Sequence, residues 1–146
     1  MTSQLNVDAI VDKAGSGGSN VKMANTSTYV SDGGNVTRNT VQGLAKSWCN
    51  LNGVGTIAIR SSQNVASLTD DGTGDYRTNF ISNMSDANFS GVVITGAVTE
   101  GGGTMQRDEE VRGISSSHLG MFCFHTNSEA ARDVEYFATS IHGDLA

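Results

Sequence analysis

Residues 46–89 constrain the fold more than any other stretch, because they alternate with period two between turns. Tyr76, Thr78 and Phe80 alternate with Arg77, Asn79 and Ile81, and Ile57 and Ile59 alternate with Thr56, Ala58 and Arg60. Successive side chains of an extended strand point to opposite faces, so this spacing predicts half-buried β-strands. Between Leu68 and Tyr76 runs Asp70-Asp71-Gly72-Thr73-Gly74-Asp75. Its glycines reach positive φ and its aspartates bond to nearby backbone, which makes it a hairpin loop.

The chain continues in short segments. Gly91 to Val98 is its most apolar run and predicts a central, buried strand. His118 to His125 predicts another, with Leu119, Met121 and Cys123 opposite Phe122 and Phe124, and Tyr136 to Ile141 one more. Residues 99–117 contain Gly101-Gly102-Gly103, Arg107-Asp108-Glu109-Glu110 and Ser115-Ser116-Ser117, a composition that predicts a long loop. Residues 127–135 fit one or two helical turns or a connecting loop. With 18 glycines and no proline in 146 residues, the chain suits short strands and turns better than helices. The expected fold is all-β, a β-sandwich or small barrel of seven or eight short antiparallel strands. Trp48, Ile57, Ile59, Phe80, Val93 and Phe122 are expected in the core, with Arg60, Arg77 and Asn79 facing out.

Residues 43–146 are expected to form the globular β module, and residues 1–42 an extended N-terminal arm for docking or trimerisation. The arm contains a Gly/Ser linker at residues 13–20 and too few apolar positions for a core of its own, so its order is expected to depend on neighbouring chains.

Trp48, Asn52-Gly53, Gly55-Thr56-Ile57-Ala58-Ile59-Arg60, Asn64-Val65-Ala66-Ser67, Thr69-Asp70-Asp71-Gly72-Thr73-Gly74-Asp75-Tyr76, Asn79-Phe80 and Met84-Ser85-Asp86-Ala87-Asn88-Phe89 occur in that order. This series resembles a module of tail-fibre and other virion proteins of tailed bacteriophages, notably marine ones. Residues 1–11 and 138–144 are similar more loosely, and residues 97–137 do not follow the pattern. Ser85 stands where the family often has proline, and Cys49 and Cys123 lie outside the pattern. The resemblance implies a virion structural protein assembled in the bacterial cytoplasm, a homotrimeric fibre or fibre-like appendage that works in host attachment or in anchoring a fibre. Its implied partners are other tail or capsid proteins and a bacterial surface glycan or protein. A capsid decoration or head fibre is the alternative, and a polysaccharide depolymerase the third. The contact loops expected from this reading carry Asp70, Asp71, Thr73 and Asp75, and Thr104, Gln106, Arg107, Asp108, Glu109 and Glu110.

Charge narrows the functional classes. The net charge of −6 argues against nucleic acid, which requires a basic surface to displace counterions from phosphates. Glu100, Asp108, Glu109, Glu110, Glu129, Asp133, Glu135 and Asp144 make the last third the acidic part. No run is long and apolar enough for a membrane span, and the first residues lack a basic start followed by an apolar core. Cys49 and Cys123 sit in apolar surroundings, where two buried free thiols are expected and a single bridge is the alternative.

The chemistry-bearing groups point to binding. The aspartates of residues 70–75 lack the spaced carboxylates and bidentate glutamate of a calcium loop. His118, His125 and His142 lack a His-x-His pairing, and Ser115 to Ser117 lack a nucleophile elbow. Asp108, Glu109 and Glu110 with Glu100 admit a glycosidase pair, but adjacent acids on a loop more often form a solvated face. No catalytic residue, cofactor or metal is therefore assigned.

Overall fold

The computed structural model describes residues 28–30, 37–40, 43–96 and 107–146. The chain divides into two compact units, residues 1–41 and 42–146. In the first, strand β1 (Thr28–Val30) pairs antiparallel with β2 (Thr37–Asn39), with Tyr29 opposite Arg38. Most of the expected arm lies outside the described residues.

Among the described residues the second unit holds eight strands: β3 (Ser47–Asn52), β4 (Ala58–Gln63), β5 (Val65–Gly72), β6 (Asp75–Phe80), β7 (Ser90–Gly96), β8 (Arg107–Ser115), β9 (His118–His125) and β10 (Tyr136–His142). They form two antiparallel sheets of four strands, ordered β4-β3-β10-β7 and β5-β6-β9-β8. The expected all-β class holds. No helix occurs among the described residues, and so none long and apolar enough to cross a membrane.

Alternation decides which side chains meet between the sheets. From the first sheet, Cys49, Leu51, Phe137 and Ile141 point inward; from the second come Val65, Tyr76, Phe80, Leu119, Met121 and Cys123. They divide into two clusters, one around Tyr76 and Phe137 and one around Phe80, Met84, Leu119 and Ile141, with Val93 packed against both. The Tyr76 and Phe137 rings meet edge to face, 5.9 Å between centroids, an arrangement that aligns ring edge with ring face. Both cysteines are buried free thiols in the first cluster, and burial pushes the Cys49 thiol up to about 11.

The chain passes between sheets at tight corners. Asn64 takes φ 57° between β4 and β5, a left-handed conformation that asparagine tolerates better than most residues. Its side chain secures the corner, accepting from the Ser82 amide at 2.7 Å and donating to the Ser82 carbonyl at 2.9 Å. The β5–β6 hairpin turns through Thr73 and Gly74, as the aspartate–glycine pattern predicts.

Several expectations are corrected. Trp48 lies on the outer face of its sheet, because the neighbouring positions Ser47 and Cys49 take the inward one; its indole Nε1 donates to Gln63 Oε1 at 2.8 Å. Ile59 is 38% exposed, since β4 is an edge strand and its pairing with β3 shifts between Asn50 and Leu51. The apolar run after Phe89 is not central: β7 is an edge strand whose one large apolar side chain turned to the core is Val93, between Gly91 and Thr95, while Val92 and Ile94 are each 60% exposed. Phe122 faces out with Phe124, opposite the inward Leu119, Met121 and Cys123. Residues 107–115 are strand β8 rather than loop. Of the two alternatives for residues 127–135, the connecting loop holds, with a turn at its start and one bridge between Ala131 and Phe124. Phe80 is buried as expected.

Candidate functional site

The outer face of the β5-β6-β9-β8 sheet gathers residues from both expected contact segments. Register sets Asp75 of β6, Phe122 of β9 and Glu110 of β8 side by side in one row. The next row on the same face is Arg77, Gly120 and Arg112. Side chains two apart on a strand share a face, so Glu110 and Arg112 also stand together along β8.

These groups pair with one another. Arg112 Nε donates to Glu110 Oε1 at 2.7 Å, and its Nη1 reaches Asp75 Oδ2 at 3.2 Å. The same guanidinium lies 3.8 Å over the Phe122 ring centroid, a cation–π contact. Arg77 donates through Nε and Nη2 to both carboxylate oxygens of Asp71. That bidentate geometry is the strong form of the pair. The hydrogen bond from Arg77 holds the Asp71 carboxyl below its ordinary value of 3.8 and raises the Arg77 guanidinium in turn. The hydrogen bond to Glu110 likewise raises Arg112.

Gly120 leaves a notch between the two arginines. A Cβ there would lie 2.2 Å from the Arg112 carbonyl oxygen, so β9 and β8 approach this closely only because the position carries no side chain. Over the notch is an open depression of roughly 200 Å³ lined by Asp71, Asp75, Arg77, Arg112, Gly113, His118 and Gly120. A second depression of roughly 360 Å³ lies beyond Arg112, lined by Glu110, Phe122, Phe124 and Glu129 as well. The Phe122 and Phe124 rings stack with centroids 5.7 Å apart and planes at 27°. Ser117 Oγ and His118 Nδ1 are 3.2 Å apart at the far end of the first depression.

The hairpin beneath the site is fixed from inside. The Tyr76 hydroxyl lies 2.6 Å from Asp133 Oδ1 and 2.8 Å from the Gly53 carbonyl oxygen, and the Gly74 amide donates to the same Asp133 oxygen at 2.8 Å. Burial, and then the neighbouring Asp133, push the Tyr76 phenol far above its ordinary value, so it stays a neutral donor. Asp133 thereby ties the segment before β10 to the β5–β6 turn.

The expected contact residues part company here. Asp71, Asp75 and Glu110 come together. Asp70 caps its own hairpin, accepting from the Gly72 amide at 3.0 Å, and Thr73 sits exposed at the tip. Asp108 is the register partner of Phe124, whereas Glu109 takes the opposite parity and accepts from Thr95 Oγ1 of the other sheet at 3.2 Å. Arg107 opens β8 as the backbone partner of His125. Thr104 and Gln106 lie outside the described residues. Arg112, His118, Gly120, Phe122, Phe124 and Glu129 were missed. Had residues 107–115 been read as a strand, the i, i+2 spacing of Glu110 and Arg112 would have placed both on one face. Among the described residues no group of three His, Cys, Asp or Glu side chains has the geometry of a metal site.

Comparison with protein-family models, with curated proteins and with solved structures returns no match.

Proposed function

We propose that this chain is a structural protein of a tailed-phage virion, a homotrimeric tail fibre or fibre-like appendage acting in host attachment. We place its contact with a bacterial surface glycan on the outer face of the β5-β6-β9-β8 sheet. The virion assignment is supported by the resemblance over residues 48–89. The observation that carries the contact face is the joining of Asp75 and Glu110 on Arg112 beside the Phe122–Phe124 stack. A sugar ring presents hydroxyls at its rim and apolar C–H groups on its faces. Planar carboxylates and guanidinia, already oriented by their own pairing, supply donors and acceptors for the rim. An aromatic ring supplies the apolar surface for the face. Both depressions are shallow, which suits one or two residues of a long polymer, and weak single sites gain when several copies are linked.

Binding rather than cleavage is the reading. A glycosidase acid has its pKa raised so that it carries a proton near neutrality. On this face Asp71 is held by Arg77, and Asp75 and Glu110 by Arg112, as ion pairs suited to presenting fixed donors and acceptors. The test is an array of bacterial capsular and O-antigen polysaccharides probed with the wild-type protein, Arg112→Ala and Phe124→Ala. The expected result is retention of at least one polysaccharide class by wild type, weakened about tenfold or more in each variant, with no reducing ends released. Retention unchanged in both variants, or sugar released on incubation, would overturn the reading.

A further inference from the structure

We infer that the outer face of the other sheet, β4-β3-β10-β7, is where copies of this chain meet. The two outer faces differ sharply in charge. The one around Arg112 carries Asp75, Glu110, Arg77 and Arg112 in adjacent rows. On the face opposite, the register rows run Val92, Ser140, Trp48, Gln63 and then Ile94, Ala138, Asn50, Ser61. Among the described residues no Asp or Glu occupies an outward strand position there, in a chain with 15 acidic residues. Its one arginine, Arg60, is turned onto the Tyr136 ring at 3.9 Å and donates to the Glu135 carbonyl.

This carboxylate-free face is also the one with exposed apolar side chains. Val92 and Ile94 project side by side from an edge strand, each 60% exposed. An exposed apolar edge strand is a template for association unless charge or proline blunts it, and β7 has neither.

Charge selects the occupant. Two copies of a chain of net charge −6 repel one another. They approach at least cost where neither presents a carboxylate, which is this face. A basic partner would be drawn instead to the opposite sheet and the acidic segments. Because β7 lies at the sheet edge, the same strand from two or three copies can converge on a symmetry axis. The inference rests on the homotrimeric reading above, whose interface it names, and does not depend on the glycan contact.

The test is the mass of the full chain by light scattering over a wide concentration range, for wild type, Val92→Lys/Ile94→Lys and the control Ile81→Lys. Ile81 is equally exposed but lies on neither outer face row. The expected result is a wild-type and control mass that is a multiple of 15.2 kDa, falling to that of one chain in the double variant. Val92→Ser/Ile94→Ser, which adds no charge, gives the same direction if the lysine variant misfolds. A wild-type mass of one chain would overturn the inference, with Ile94→Cys thiol labelling then showing whether the face is bare or covered by the chain's own residues. An assembly that survives the double variants would also overturn it, because the copies would then meet elsewhere.

Discussion

At Gly74 the backbone takes φ 68°, and a Cβ would stand 2.5 Å from the Cys123 carbonyl oxygen and 2.7 Å from that of Arg132. Only glycine meets both conditions, so Gly74→Ala is expected to cost about 3 kcal/mol or more, read by chemical denaturation. Tyr76→Phe keeps the ring against Phe137 but removes the hydroxyl from Asp133 and Gly53; the expected loss is about 1–3 kcal/mol. A loss near zero would mean that this hydroxyl bond does not hold the segment before β10. Asp71 offers a test by pH. Its folded pKa is depressed by Arg77, so the pairing contributes above the ordinary value of 3.8 and is lost as pH falls through the lowered one. Carboxyl-carbon NMR should therefore place the Asp71 midpoint below 3.8, and Arg77→Ala should return it toward that value. A midpoint at or above 3.8 in the wild-type protein contradicts the pairing. The two buried thiols should resist an aqueous thiol reagent at pH 8 until the protein unfolds.

The strands separate what alternation reveals from what it hides. Phe137 is fully buried between the sheets, and Phe137→Ala should cost about 3–5 kcal/mol. Phe122→Ala should cost only about 1 kcal/mol, because the ring is half-buried on an outer face against Arg112 and Phe124. Thermal or denaturant unfolding of the two variants distinguishes these faces, and equal losses would put Phe122 back in the core. Period-two spacing made β6 legible in the sequence, face included, and located β9, but with apolar residues on both sides of β9 it did not keep Phe122 off the core. It also gave the hairpin between β5 and β6, whose glycines and aspartates act locally. It failed for β7, because an apolar run looks the same whether it is buried on both sides or covered on one, and only pairing reveals the edge. It failed for Trp48, whose place depends on the parity set by Cys49 and Leu51. Strand β8 escaped because its charged outward row, Asp108, Glu110 and Arg112, resembles a solvated loop when its inward neighbours Glu109 and Val111 are not both apolar. The candidate site was half legible for the same reason: its acids were visible as a composition, but their arginine and aromatic partners come from register across three strands.

The second unit presents two unlike faces, and each has its own chemistry. One is polar, with arginines and carboxylates prearranged around a glycine notch and a pair of stacked rings. The other carries no carboxylate on its strands and is apolar at its edge, the face we infer for contact between copies. A fibre built from such units would bury the carboxylate-free faces together and display the acidic ones, so that mutations on one face leave the other's property intact. Val92→Lys/Ile94→Lys should thus lower avidity for an arrayed polysaccharide while leaving the single-copy site unchanged. The most direct test of the contact face is amide chemical-shift mapping with the polysaccharide fragment that the array selects. The predicted result is a cluster of shifts at Asp75, Arg77, Arg112, Gly120, Phe122 and Phe124, with β3 and β7 unmoved; shifts centred on β3, β7 and β10, or none anywhere at saturating fragment, would contradict it.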